Sequence, residues 1–434
     1  MLPDEDGTGL SSRDDSSFQI YENYTGRWYM TPKHKWTFRS RFNRRAFGWR
    51  STMPIKRIRE AVSEIKKVAR KDMCLAAEGA VILLEKLSPA IELVDSSSGA
   101  IGNEVNKAVD ELVPIISRAA VDDARRDKWL ERLWQAVEND HVPYIESLEE
   151  YWGELCVTPE RASRWADEFI NPVRLNWSRD SGRGTHFKGI IVCLSCLLKA
   201  GRYEEILELV DLVPYKFWPY RVWAVRALKN MGEAGQALRY AEESRGLNDN
   251  PYAIARECED ILLSGGMMDE AFERYAYEAN VKSTYLATFR AIAKKYPHKD
   301  KEEIIIHLAA QTPGEEGKWF AAARAAGLYS RAIELAMSSP CDPRTLTRAA
   351  RDMKETEPDF AMEAGFAALY WLVEGYGFDI TSLDVWAAYN FTMQAAENSG
   401  KKAQTLERIQ ELVRNETFGE RFVYKILNRE LGLA

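Results

Sequence analysis

One short motif recurs down the second half of this chain and limits what the chain can fold into. Gly201-Arg-Tyr-Glu-Glu-Ile-Leu, Gly232-Glu-Ala-Gly-Gln-Ala-Leu, Gly266-Met-Met-Asp-Glu-Ala-Phe and Gly327-Leu-Tyr-Ser-Arg-Ala-Ile align, and Lys299-Asp-Lys-Glu-Glu-Ile-Ile fits between the last two without its glycine. Their starts lie 31, 34, 33 and 28 residues apart. That is the period of arrays of helical hairpins, in which one hairpin cannot bury its apolar face alone and must lean on the next. Where present, the glycine suits a tight turn that ends one helix, and the acidic residues of the copies at 201, 232, 266 and 299 suit the start of another. The residue five places on (Ile206, Ala237, Ala271, Ile304, Ala332) is small or aliphatic, which lets two helices approach closely.

Two of these copies carry a further pattern. Gly201/Tyr203/Ile206 and Gly327/Tyr329/Ala332, with Pro214 and Pro340 closing their units, resemble the second-helix half of the tetratricopeptide (TPR) repeat over about residues 200–340. The resemblance implies a right-handed α-solenoid whose concave groove binds peptides or partner proteins.

The rest of the chain also reads as helix, so the expected fold class is all-α. At 434 residues the chain is longer than one core serves, and with 46% apolar and 29% charged residues it has ample material for a buried interior. Glycine and proline are scarce and fall where helices should begin or end. Asn250-Pro251, Thr312-Pro313-Gly314-Glu315 and Asp342-Pro343 each place a capping side chain before a proline at the first helical position. No stretch pairs sustained alternation with hairpin dipeptides, so no sheet is expected. Helices are predicted over 72–87, 103–118, 122–139, 144–155 and 159–169, and again over 358–374, 383–397, 403–414 and 421–433. Trp371, Trp386, Phe422, Ile426 and Leu427 are expected to close the apolar end of the stack. The turn at Gly99 before the second of these helices lacks the lysine of a phosphate-binding loop and reads as a cap.

Charge divides the N-terminal part. Residues 1–25 sum to −5 and read as a flexible acidic tail; residues 26–71 sum to +13; the remainder carries −15 within a net −7. In the cationic segment Trp28, Tyr29, Trp36, Phe38, Phe42, Phe47 and Trp49 interleave with basic residues. Two readings stay open: an arm docked on the acidic body, or a surface on which nucleic-acid bases stack and guanidinium groups meet phosphate. Its candidate contacts are Trp36, Arg39, Arg41, Arg44, Arg45, Trp49 and Arg50. From Ile55 the spacing of Ile58, Val62, Ile65 and Val68 predicts an amphipathic helix with Lys66, Lys67 and Arg70 outward. The expected organisation is a tail at 1–25, an arm with its first helix at 26–71, a helical region at 72–180, and a TPR-like repeat region with capping helices at 181–434.

Residues that could carry chemistry do not assemble into a site. Cys193 and Cys196 lie well inside the apolar helix expected at 189–199, which points to core thiols. The five histidines show no metal-ligand spacing, and His307 reads as a partly buried helix residue. Glu149-Glu150 and Glu315-Glu316 read as solvated pairs. The segment 179–188, with Arg179, Arg183 and Lys188 ahead of a helix start, reads as a linker or an anion site. Arg344, Arg348 and Arg351 project from one helix face, which reads either as an ordinary solvated face or, with Lys294, Lys295 and Lys299, as the lining of a groove for an acidic peptide or RNA. No membrane span, signal peptide or disulfide framework is expected, which suits the cytoplasm. The chain is read as a non-enzymatic scaffold that binds a protein or peptide partner and needs no cofactor. The alternative is a nucleic-acid-associated accessory protein acting through residues 27–71.

Overall fold

The computed structural model describes residues 18–22, 28–32, 34–178, 187–213, 215–246 and 250–433. The chain divides into two compact units, 1–214 and 215–434.

The first unit opens with a feature the sequence reading excludes. Strands β1 (Phe18–Glu22) and β2 (Trp28–Pro32) pair antiparallel, with Phe18 opposite Pro32 and Glu22 opposite Trp28. This corrects the expectation that no sheet forms. Phe, Ile, Tyr, Trp and Thr favour extended backbone, and the tally of acidic residues passed over them. Residues 1–17 and 23–27 lie outside the described residues.

Helices follow: α1 (Thr52–Ala69), α2 (Met73–Ile91), α3 (Ala100–Arg118), α4 (Asp123–Glu138), α5 (Trp152–Cys156), α6 (Pro159–Trp177), α7 (Ile190–Ala200) and α8 (Tyr203–Asp211). A 3-10 turn at Glu146–Tyr151 leads into α5. Asp72, Asp122 and Thr158 cap α2, α4 and α6 by accepting a backbone N–H from three residues on. α1 packs on α2 and α3, α2 on α4, α3 on α5, α5 on α7, and α6 on both α7 and α8. Contact with the next helix and the next but one is the signature of stacked hairpins, and it is present from α1 onward. Because α7 is held by α5 and α6, the break between units falls at Pro214.

The second unit holds α9 (Trp218–Asn230), α10 (Ala234–Glu243), α11 (Pro251–Ser264), α12 (Met268–Asn280), α13 (Tyr285–Lys295), α14 (Lys301–Ala310), α15 (Phe320–Ala325), α16 (Tyr329–Ser338), α17 (Pro343–Met353), α18 (Pro358–Val373), α19 (Ser382–Asn398), α20 (Lys402–Arg414) and α21 (Phe422–Leu427). Consecutive helices pair as hairpins. First helices touch first helices (α9 on α11, α13 on α15, α17 on α19), and second touch second (α16 on α18, α18 on α20). This is a TPR-like array.

The repeated glycines explain the period. Gly201, Gly232, Gly266 and Gly327 all have φ between 76° and 87°. In each case the glycine N–H bonds the carbonyl three residues back, and the following N–H bonds the carbonyl five residues back, as in Gly327 to Arg324 (3.0 Å) and Leu328 to Ala323 (3.0 Å). This double bond pattern satisfies carbonyls left over at a helix end and needs a left-handed residue at its centre. Gly400, with φ 72°, makes the same turn between α19 and α20. The close-packing positions are as expected: Ile206, Ala237, Ala271, Ile304 and Ala332 are fully buried.

Three local expectations need correction. Asn250 and Asp342 cap α11 and α17 as read, but Thr312 starts no helix. It follows α14, donates to the Leu308 carbonyl and accepts from Trp319 Nε1 (2.8 Å), because a buried indole N–H requires an acceptor. Trp371 does not close the stack; it is buried within α18 and donates to the Ala336 carbonyl at 2.7 Å. The closing helix α21 buries Val423 and Leu427 and leaves Phe422 exposed.

Candidate functional site

The cationic arm is docked in the first unit. Trp36, Phe38 and Phe42 are buried, and a side-chain carbon on Gly79 of α2 would lie 2.2 Å from the Trp36 ring, so the indole occupies the space a larger residue would fill. Arg41 pairs with Glu60 at 3.0 Å, and Arg44 and Arg45 both pair with Glu92, at 3.7 and 3.2 Å. Thr37 donates its backbone N–H (2.9 Å) and hydroxyl (2.5 Å) to Glu64. A stacking platform would need these rings facing outward, and the three central ones face the core. Of the arm candidates only Trp36 is buried; Arg41, Arg44 and Arg45 are exposed but ion-paired, and Arg39, Arg50 and Trp49 are exposed, Trp49 to 71%.

Arg179 and Arg183 lie outside the described residues. Lys188 is engaged internally: its ammonium donates to the carbonyls of Val137 (2.5 Å), Glu138 (3.1 Å) and Asp140 (2.7 Å), neutralising the C-terminal end of α4.

Arg344, Arg348 and Arg351 do line one cleft, of about 450 Å³, between α17 and α19. Its other walls include Leu372, Phe378 and Phe391. Arg344 is committed to the fold: its guanidinium binds both oxygens of Asp384 (2.8 and 3.0 Å) and the Asp379 carbonyl (2.7 Å). Asp384 also accepts the backbone N–H and hydroxyl of Thr381, and these donors hold its carboxyl well below the usual range. Arg348 meets no carboxylate among the described residues; it bonds only the Arg344 carbonyl (3.2 Å) and the Thr345 hydroxyl (3.0 Å). Arg351 has only its sequence neighbour Asp352 at 2.8 Å, and both are about half exposed. Phe378 stands 83% exposed beside them. Lys354 lies 5.5 Å over the Phe391 ring.

The cleft therefore offers two arginines with spare hydrogen-bonding capacity and an aromatic surface. The lysines grouped with this stripe at the sequence level do not join the lining. Lys295 pairs with buried Glu259 at 2.5 Å, and Lys299 pairs with Asp269 and Glu303 at 3.0 and 2.8 Å. Sequence reasoning missed Phe378, whose place depends on the loop through Gly375 and Gly377, both at positive φ.

Elsewhere, potential chemistry is absorbed by the core. Cys193 and Cys196 are buried on α7, where desolvation pushes the Cys193 thiol up to about 12 and Cys196 well above the ordinary value. His307 is half-buried against Phe272, which lowers its pKa. Glu149 corrects the solvated-pair reading. The 3-10 turn directs it inward, only 1% of it is exposed, and one oxygen accepts the Gly189 N–H at 3.3 Å. Among the described residues no three His, Cys, Asp or Glu side chains are placed to hold a metal ion, and no helix is long and apolar enough to cross a membrane.

No protein-family model matches this sequence, and no curated protein matches it. Among solved structures it is similar to a chain of the crystal structure of the APC/C hetero-tetramer Cut9-Hcn1, at 12% identity and a TM-score of 0.22, over 82% of this chain and 75% of that one. The architecture accordingly rests on the helix packing and turns described above.

Proposed function

We propose that this protein is a non-enzymatic, cytoplasmic helical-repeat scaffold, and that the α17/α19 cleft receives an acidic, aromatic-containing segment of a partner protein. The observation that carries this reading is the pairing of Arg348 and Arg351 with exposed Phe378, between the first helices of consecutive hairpins. Guanidinium forks suit carboxylates, and an exposed ring suits an apolar or aromatic side chain. Six free cysteines support a reducing compartment.

The test uses the full chain and fluorescent peptides that alternate Glu or Asp with Phe or Leu. Binding by the wild type, with a loss of about tenfold or more in Arg348→Glu/Arg351→Glu and in Phe378→Ala, supports the reading. Equal binding by wild type and both variants overturns it.

A further inference from the structure

The first unit carries a second cationic site that the scaffold reading does not use. Helices α1 and α3 flank a groove of about 370 Å³, lined by Arg59, Lys66, Lys67, Arg70 and Lys107 against only two carboxylates, Glu104 and Glu111. Both carboxylates are already occupied. Glu104, nearly buried, accepts both Nε (2.9 Å) and Nη2 (2.6 Å) of Arg59, and Glu111 accepts Lys66 Nζ at 3.0 Å.

Lys67 on α1, Arg70 just past its end and Lys107 on α3 are exposed, and among the described residues none of the three is paired with a carboxylate. Like charges converging from two helices repel one another. An arrangement that leaves three of them together, while neighbouring arginines and lysines are neutralised, is a receptor for negative charge. The floor of Val62 and Ala108 is small, and no aromatic residue lines the groove. A nucleic-acid base would find no ring to stack on, and an apolar peptide side chain would find little to cover.

We infer that this groove binds a compact ligand bearing several phosphate groups, of the inositol-polyphosphate kind, whether free in solution or as a lipid headgroup. Lys67, Arg70 and Lys107 bind its phosphates as charge-assisted donors, and the Ser63 hydroxyl lies within the same lining.

The experiment is calorimetric titration of the full chain with inositol hexakisphosphate, alongside co-sedimentation with vesicles containing phosphatidylinositol 4,5-bisphosphate. The expected result is one saturable site, weakened by added salt, and weakened about 30-fold or more in Lys67→Glu/Arg70→Glu. Lys107→Gln, at an exposed position, should weaken it less and in the same direction, and Arg348→Glu/Arg351→Glu should leave it unchanged, which separates this site from the α17/α19 cleft. Vesicle retention competed by the free compound identifies a headgroup as the source; binding of the free compound without retention identifies a soluble ligand. Absence of binding, or equal binding by the charge-reversed and neutral variants, overturns the inference. So does a single-stranded oligonucleotide that binds more tightly and is lost in the same variants.

Discussion

Arg344 reaches across from α17 and holds both oxygens of Asp384, the residue that also caps the start of α19. One carboxylate thus fixes the spacing of two first helices and the mouth of the cleft between them. Asp384→Ala should cost about 1–2 kcal/mol, since it removes a cap and a partly exposed ion pair together, and Arg344→Ala should destabilise less because it leaves the cap in place. Because the native carboxyl is held below its ordinary value, this stabilisation is present above about pH 4 and is lost as pH falls below it. Urea melts of wild type and Asp384→Asn should converge in acid; a gap that persists there would contradict the clamp.

Glu149 predicts the opposite slope. Burial pushes its carboxyl up to about 7. The folded state therefore holds an extra proton between about pH 4.5 and 7, and stability declines as pH rises through that window, by up to about 3 kcal/mol. Glu149→Gln should remove most of the decline. Denaturation midpoints at about pH 5 and about pH 8 for both proteins measure it, and parallel pH profiles would refute it.

Docking of the arm hinges on a missing side chain. Gly79→Ala places a carbon where the Trp36 ring sits, so the arm should shift or detach at a cost of about 1–3 kcal/mol. Trp36→Phe should relieve part of that cost in the double variant. The readouts are thermal melting and protease cleavage near residues 34–50; a Gly79→Ala protein that melts and resists cleavage like the wild type would show that the ring can move aside freely.

Two glycines in helical or turn segments should answer substitution with opposite signs. A side-chain carbon at Gly317 would lie 2.3 Å from the Ser339 carbonyl oxygen, whereas one at Gly235 in α10 meets nothing within 4 Å. Gly317→Ala should destabilise by about 1–3 kcal/mol, and Gly235→Ala should stabilise by about 0.4–1 kcal/mol by restricting the unfolded chain. Calorimetric melting of the two single variants decides the matter; shifts of the same sign would count against the packing described at Gly317.

What could be read from sequence was local and periodic. The burial of Ile206, Ala237, Ala271, Ile304 and Ala332 follows from their offset to a turn glycine, a relation contained within six residues. Gly400 does not read as a copy because Lys401-Lys402-Ala403-Gln404 follow it without an acidic residue, and the polar Thr405, although buried, stands where the other copies carry Ile or Ala. Trp36 and Trp49 look alike in a charged segment, and what separates them is a glycine 43 residues beyond Trp36 that leaves room for one ring. Glu149 turned inward because a 3-10 turn rotates it off the face that an α-helical reading assigns. Of the candidate contacts, the arginine stripe on α17 was legible from helical spacing, but its aromatic neighbour Phe378 arrives by a loop whose path no periodicity encodes.

The turn geometry at Gly201, Gly232, Gly266, Gly327 and Gly400 is built from main-chain bonds alone. No flanking side chain owes anything to the corner itself, so residues on both sides can be exchanged for new recognition tasks while the corner persists. An architecture of this kind can keep its rhythm long after its wording has drifted beyond recognition.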